Sequence, residues 1–290
     1  MVFYRAPGHL ASLKSSGQLS YFENGGHIKT GSRQNMPNNA EDGYLAFKTQ
    51  SFTTAISKYN QNPWYVRLEI AASTIIILLQ IITTITLLKS YYPTPFFMVL
   101  ITLVFSYIAT DFINGLVHMI VDNSANYTSP VGPFIAAFHL HHLKLSYQNK
   151  HPLKIYFYES GHKLWLVFYL LIIFTLQQTL GLNFCLNLCL VSIGVFSSIA
   201  ELSHFWCHNP SQTNSVIRRL QRYGLLLSMK HHKTHHQKDN KHYAFFNGMT
   251  NPLLNLIARL FFKGYKNRSD KYVAGYALEI VRNEAKKNAS

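Results

Sequence analysis

Long stretches without a charged residue constrain the fold of this chain more than any other feature. Residues 70–88 are 19 consecutive positions without Asp, Glu, Lys, Arg or His, residues 90–110 form a second such stretch, and residues 164–200 form a third of 37 positions. A helix of about 20 apolar residues crosses the hydrocarbon core of a bilayer. The third stretch can cross twice, because Gly181-Leu182-Asn183 supplies a turn near its middle. Four transmembrane helices are predicted, at about residues 68–88, 95–121, 164–181 and 183–204.

The predicted fold class is an all-α integral membrane protein. Residues 1–66 are polar and predict a flexible N-terminal extension, residues 67–263 the membrane domain, and residues 264–290 a polar basic tail. Among the 27 Lys and Arg residues, only Lys89 falls in the two short connections on one side of the membrane. The positive-inside rule therefore predicts that both termini and the 122–163 loop are cytoplasmic.

The net charge of +15 requires an anionic partner. Ser215–Leu227 and Pro252–Phe262 carry apolar residues at helical spacing and predict helices that lie in the membrane interface. On the first of them, Arg218, Arg219 and Arg222 are predicted to bind anionic lipid headgroups. Nucleic acid is the competing partner, but the sequence contains no recognised nucleic-acid motif, and we predict none.

Histidines cluster where the predicted spans reach the cytoplasmic side. His118 and Asp122 end the second span four residues apart, and His204 and His208 do the same at the fourth. Residues at i and i+4 share one face of a helix and can bind one metal ion or bridge two. Two more clusters occupy the cytoplasmic segments: His141 and His142, followed by His151, and the H-H-x-x-H-H motif of His231, His232, His235 and His236.

So many imidazoles exceed the needs of a single zinc ion, which takes three or four protein ligands. Imidazole combined with carboxylate suits iron, and a pair of iron ions would use eight or nine such ligands. The predicted ligands are His118, Asp122, His141, His142, His204, His208, His231, His232, His235 and His236. Four further residues are predicted either to bind metal or to support a ligand: His151, Asp111, Glu201 and His242.

As a set, these motifs resemble the plasmanylethanolamine desaturases, also called Kua-type lipid desaturases. The resemblance covers residues 68–262 and depends on the run from Asp111 to Asp122, the His141-His142 pair with His151, the His204/His208 box containing Trp206, and Lys230-His231-His232 ending in His235-His236. It implies two iron ions, O2 as co-substrate, and removal of two vicinal hydrogens from a phospholipid chain. An external electron donor of the cytochrome or ferredoxin type is expected, since the sequence contains no dinucleotide or haem motif.

The segments after His151 and His236 depart from the family pattern, which leaves the identity of the lipid open. The product is expected to be either the vinyl ether of a plasmenyl lipid or an unsaturated acyl chain. Three alternatives remain: a lipid hydroxylase with the same di-iron site, a membrane metal transporter or sensor, and a non-catalytic adaptor. The mass change of the product separates a hydroxylase from a desaturase, and metal flux identifies a transporter. An unchanged lipid profile after His235→Ala would favour an adaptor.

Overall fold

The computed structural model describes residues 39–141, 151–158, 163–237 and 241–261, and within these ranges every regular element is a helix. The all-α prediction is therefore confirmed for this part of the chain. A short 3-10 helix at Pro210–Gln212 precedes α8. In chain order the α-helices are α1 (Asn39–Gln61), α2 (Pro63–Lys89), α3 (Phe96–Asp122), α4 (Gly132–His141), α5 (Pro152–Tyr158), α6 (Leu164–Thr179), α7 (Phe184–His208), α8 (Ser215–Arg222), α9 (Met229–Gln237) and α10 (Asn251–Phe261).

Three of these helices are long and apolar enough to cross a membrane. They are α2 and α3, with 27 residues each, and α7, with 25. Helix α6 is also apolar, but its 16 residues extend only about 24 Å. The chain is thus a multi-pass membrane protein.

Local sequence explains where the long helices begin and end. Pro63 is the first residue of α2, where it loses no helical hydrogen bond, and the side chain of Asn62 accepts from the Trp64 N–H. The long apolar run divides as predicted, because α6 ends at Thr179 and the Asn183 side chain caps α7 by accepting from the Leu186 N–H.

The long helices pack against one another, and the site is built on that packing. Helix α2 contacts α6 and α7, and α3 contacts α7 along much of its length. The amide of Asn114 donates to the Ser197 hydroxyl at 2.9 Å, which joins α3 to α7 inside the bundle. Helices α4 and α10 pack on α3, and α9 packs on α7. The ends of α3 and α7 that carry histidines therefore lie side by side, under α9.

The segment predicted as a polar extension includes α1. Helices α2 to α10 belong to one compact unit that begins at residue 47. In that unit Phe52, Ala55 and Ile56 are buried, and the Phe52 ring meets Tyr127 edge-on at 5.1 Å. Their spacing is that of one helical face. A composition rich in Gly, Asn and Ser over residues 1–38 obscured this pattern.

The two predicted amphipathic helices are present as α8 and α10. Helix α10 buries Leu254 and Ala258 against Met119 of α3, while Leu253, Leu260 and Phe261 are exposed. Helix α8 contains no buried residue. Both helices thus present large side chains outward next to the membrane spans.

Candidate metal centre

Four imidazoles converge where the end of α7 meets α9. The His204 Nε2 atom lies 3.0 Å from that of His232 and 3.1 Å from that of His208. The His232 Nε2 atom also lies 2.9 Å from the Nε2 atoms of His208 and of His236. We call His204, His208, His232 and His236 the four-histidine group.

A second group forms where the end of α3 meets α9. The Oδ2 atom of Asp122 lies 3.4 Å from the Nε2 of His118 and 3.2 Å from the Nε2 of His235. All three residues are buried. We call His118, Asp122 and His235 the carboxylate group.

The two groups are neighbours. The ring centroids of His232 and His235 are 5.7 Å apart, and those of His118 and His204 are 6.4 Å apart. Helix α9 contributes to both, because His235 faces α3 while His232 and His236 face α7. The motifs at the ends of the two spans thus meet over one short helix, which permits two metal ions in adjacent positions.

Hydrogen-bond acceptors behind the ligands orient them. The Nδ1 of His118 lies 2.7 Å from the carbonyl oxygen of Tyr243, and the Nδ1 of His235 lies 2.9 Å from that of Lys241. A carbonyl oxygen only accepts, so each Nδ1 carries the proton and each Nε2 presents its lone pair to the carboxylate group. In the four-histidine group, the Nδ1 of His204 lies 3.4 Å from a Glu201 oxygen. Acceptors of this kind fix the ring orientation and the tautomer of a metal-binding histidine.

The donor set fits a metal ion. The Nε2 of His232 has three imidazole nitrogens within 3.0 Å, yet a neutral ring nitrogen makes only one hydrogen bond, as donor or as acceptor. Lone pairs so close together repel one another unless a cation lies between them. Imidazoles that bind one ion at about 2.1 Å place neighbouring nitrogens about 3.0 Å apart in octahedral and about 3.4 Å apart in tetrahedral geometry, and the observed separations are close to the octahedral value. Imidazole and carboxylate suit iron among other divalent ions.

Burial also favours the neutral form of His232, the central member of the group. Desolvation lowers the pKa of His232 well below its ordinary value, and the neighbouring imidazoles of His204 and His236 lower it further. A neutral imidazole is the form that binds metal. The four-histidine group is therefore ready to bind a cation at neutral pH.

Several predicted residues lie near the two groups without belonging to them. His231 accepts from the Asn251 amide at its Nε2, 2.7 Å away, and its ring packs on His242 with centroids 4.3 Å apart. The i, i+4 spacing within the H-H-x-x-H-H motif would pair His231 with His235, but His231 lies against Asn251 and His242 instead. His151 is exposed and accepts from the Leu153 N–H at the start of α5.

Asp111 has a different partner from the one expected. It was predicted to support His118, two turns further along α3. Its carboxylate instead accepts from the main-chain N–H groups of Asn247 and Gly248 at 2.8 and 3.0 Å, and from the N–H and hydroxyl of Thr250 at 3.0 and 2.7 Å. Asp111 thus anchors the segment that follows Tyr243. Glu201, by contrast, lies 3.4 Å from the Nδ1 of His204, a member of the four-histidine group.

The predicted ligand pair His141-His142 begins at the last residue of α4. His142 and the His141 side chain lie outside the described residues, although Phe138, one turn before His141, packs edge-on against His118 at 5.2 Å. The predicted headgroup ligands Arg218, Arg219 and Arg222 are on α8, which has no buried residue, and the Arg218 guanidinium donates to the Thr213 carbonyl at 2.6 Å.

Sequence reasoning missed Lys163, which precedes α6. This lysine is buried, donates to the Tyr156 carbonyl at 2.8 Å and lies 3.7 Å from the centre of the Tyr156 ring. Burial lowers the pKa of Lys163 to about 8, while attraction to Glu201 and Glu69 opposes that shift. The Lys163 amine is thus buried within electrostatic reach of Glu201, the carboxylate that lies 3.4 Å from His204. Its position directly before an apolar run suggested only a span boundary.

Comparison with known proteins identifies the class of this site. Residues 107–264 match the model of the lipid desaturase domain, and this segment is more than half of the chain. The chain belongs to the lipid desaturase family. No curated protein and no solved structure matches the sequence.

The lipid desaturase domain contains both ligand groups and the loop that orients them. Its matched segment begins within α3 and ends just after α10, so that it includes every described residue of the two groups. As a lipid desaturase, the chain is an oxidoreductase of lipid metabolism that acts in a membrane. The histidine groups are then the part of this lipid desaturase that can bind the metal on which such chemistry depends.

Proposed function

We propose that this lipid desaturase is a di-iron, O2-dependent enzyme that introduces a double bond into a phospholipid chain. The observation that carries the proposal is the pair of adjacent ligand groups at neighbouring ends of two membrane helices, α3 and α7. One iron would be held by the four-histidine group and the other by the carboxylate group. The resemblance to plasmanylethanolamine desaturases favours a plasmanyl lipid, with an acyl chain as the alternative substrate.

The carboxylate group offers three described ligands, and His141 and His142 are the residues we propose to complete it. Helix α4, which ends at His141, packs on α3, and its Phe138 ring touches His118. In the sequence, His141 and His142 come three and four residues after Phe138. His231, held by Asn251, is proposed to support α9 from outside the ligand set.

We infer that α6 is the fourth span and that the desaturase domain includes α2, within residues 67–263. With four spans, both termini and all the ligands lie on the side that carries the basic residues, which is the cytoplasmic side. Arg219 and Arg222 on α8 are then positioned to bind lipid headgroups, and α10 lies in the interface with its exposed leucines in the bilayer.

The reaction balances when an external protein supplies two electrons. The lipid loses two hydrogen atoms, and O2 with two electrons and two protons becomes two molecules of water. Bound iron would supply the activation of O2. The chain's own residues orient the ligands through Glu201, Tyr243 and Lys241, and buried aromatic side chains such as Phe245 exclude water from the histidines.

The proposal is tested by expressing the chain in cells and comparing their lipid extracts by mass spectrometry. A desaturase yields phospholipids lighter by two hydrogens, and the purified protein should contain two iron ions per chain. His232→Ala, produced at the same level, should yield neither the product nor full iron content. A product heavier by one oxygen would identify a hydroxylase instead. Unchanged lipids together with metal flux into vesicles would identify a transporter.

A further inference from the structure

Helix α9 has two faces of different chemistry. His232, His235 and His236 point inward to the two ligand groups. Lys230 lies on the side turned away from them with Lys233 beside it, and both lysines are exposed, whereas Met229 shares the His236 side. Because a helix with its side chains is only about 10–12 Å thick, this outward face is one helix diameter from the proposed metal ligands. We call Lys230, Lys233 and the nearby exposed Lys241 the α9 basic face.

The charge around this face is strongly unbalanced. Residues 205–261 contain eight Lys and Arg residues, against Asp239 as the single acidic residue. Among the residues that the structure describes, no carboxylate forms a salt bridge with Lys230, Lys233 or Lys241. Exposed ammonium groups one helical turn apart, as on Lys230 and Lys233, attract an acidic surface and steer its approach.

We propose that the α9 basic face is the docking surface of an acidic, one-electron donor protein. The inference depends on the proposed function, since only an oxidase reaction needs such a donor. Each desaturation takes up two electrons, delivered one at a time. A donor that binds here reaches the ligands through α9 itself, because three of its nine residues belong to the two groups.

The neighbouring helices show why this face suits a protein and not the bilayer. Helix α8 and the turn after it expose Val216, Tyr223 and Leu225, and α10 exposes Leu260 and Phe261. Large apolar side chains among basic groups are typical of a helix that inserts into the lipid interface. The α9 basic face has lysines and polar residues such as Thr234 and no large apolar side chain, so it lacks the apolar area that insertion requires.

Binding is measured with the full chain in nanodiscs of uncharged phosphatidylcholine, so that lipid charge plays no part. The probes are the oxidised soluble haem domain of a cytochrome b5 and a plant-type [2Fe–2S] ferredoxin, both acidic. We expect Lys230→Glu/Lys233→Glu to weaken binding of at least one probe tenfold or more at low ionic strength. The difference should disappear in high salt. Lys241 is left intact because it belongs to the backbone segment that orients His235.

Lys58→Glu/Lys154→Glu is the matched control, since it makes the same charge change at two surface lysines of α1 and α5. It should bind the probes within twofold of the parent. If both double variants bind alike, the proposal is overturned. It is also overturned if Lys230→Glu/Lys233→Glu loses binding only to vesicles that contain phosphatidylserine, which would make the face a lipid contact.

Turnover with a chemical reductant separates this proposal from the proposed function. Each protein is first reduced without O2, either by the reduced probe or by a stoichiometric amount of dithionite, and the product is measured after O2 is added. The yield with the probe is divided by the yield with dithionite, for the parent and for both double variants. The ratio should fall tenfold or more only in Lys230→Glu/Lys233→Glu. If the parent forms no unsaturated lipid with dithionite, the proposed function fails, while the binding measurement still decides the docking surface.

Discussion

The Nδ1 nitrogen of His118 lies 2.7 Å from the main-chain carbonyl oxygen of Tyr243, a residue 125 positions later in the chain. The same segment orients His235 through the carbonyl of Lys241, at 2.9 Å. Two ligands from different helices, α3 and α9, are therefore held by one stretch of backbone. The position of that stretch controls where both Nε2 atoms point, and with them the geometry of the carboxylate group.

Asp111 is the anchor of this stretch, and its removal should damage both stability and metal binding. Its carboxylate accepts four hydrogen bonds from Asn247, Gly248 and Thr250. Asp111→Asn turns one acceptor atom into a donor that faces main-chain N–H groups, at a cost of about 2–3 kcal/mol. We expect a lower apparent Tm in detergent and less iron per chain.

Thr250→Val is the graded control for this prediction, because it removes only the hydroxyl bond to Asp111 and should cost about 1 kcal/mol. Equal thermal stability of the parent and Asp111→Asn would show that the segment is held by other contacts. In that case the orientation of His118 would not depend on Asp111.

Neighbouring histidines of the H-H-x-x-H-H motif should behave differently. His232 has three imidazole nitrogens within 3.0 Å, whereas His231 accepts from Asn251. His232→Ala should lose about one metal ion per chain, because it removes the central ligand of the four-histidine group. His231→Ala should retain the metal content of the parent. Metal analysis of both purified variants tests this, and equal losses would contradict the arrangement of α9.

Sequence periodicity could predict the pairs His118/Asp122 and His204/His208, because i and i+4 positions share a face in any helix. It could not assign the four histidines of α9. At 100° per residue the four side chains cover an arc of about 140° around the helix. This arc is too wide for all four imidazoles to reach two adjacent metal ions. Contacts with α3 and α7 decide which histidine at the edge of the arc does not face the two groups. That histidine is His231, which faces Asn251.

The hydrogen-bond acceptors that orient His118 and His235 could not be predicted from the sequence, for a different reason. The Tyr243 and Lys241 groups that orient His118 and His235 are main-chain carbonyls, and residue type gives no signal for them. Asp111 looked like a partner for His118 because the two share a helix face. Two helical turns separate them by about 10 Å along the axis, so the carboxylate binds the nearer loop.

Glu201 should affect the metal through His204. Its carboxylate lies 3.4 Å from the Nδ1 of His204, and loss of such a partner typically costs 10–100-fold in metal affinity. We expect Glu201→Leu to weaken metal binding by this factor. Glu201→Gln, which retains an acceptor oxygen, should recover most of it. Competition with a chelator of known affinity measures the change, and equal affinities for the parent and Glu201→Leu would rule out the role.

Lys163 should make the stability of the protein depend on pH above 8. In the folded protein burial lowers the pKa of this amine to about 8, while an unfolded lysine retains its proton up to about pH 10.4. Between these values the unfolded state binds more protons, so stability rises with pH; below pH 8 both states are protonated and the slope vanishes. The rise attributable to Lys163 should reach about 3 kcal/mol.

The measurement is the apparent Tm in detergent at pH 7, 8, 9 and 10, with the parent compared to Lys163→Met at each pH. Other lysines and tyrosines titrate in this range in both proteins, so the difference between the two curves isolates Lys163. Relative to the parent, Lys163→Met should lose stability between pH 8 and 10. Lys154→Met, at an exposed position of α5, should follow the parent curve throughout. Parallel curves for the parent and Lys163→Met would mean that the Lys163 amine is solvated in the folded protein and keeps an ordinary pKa.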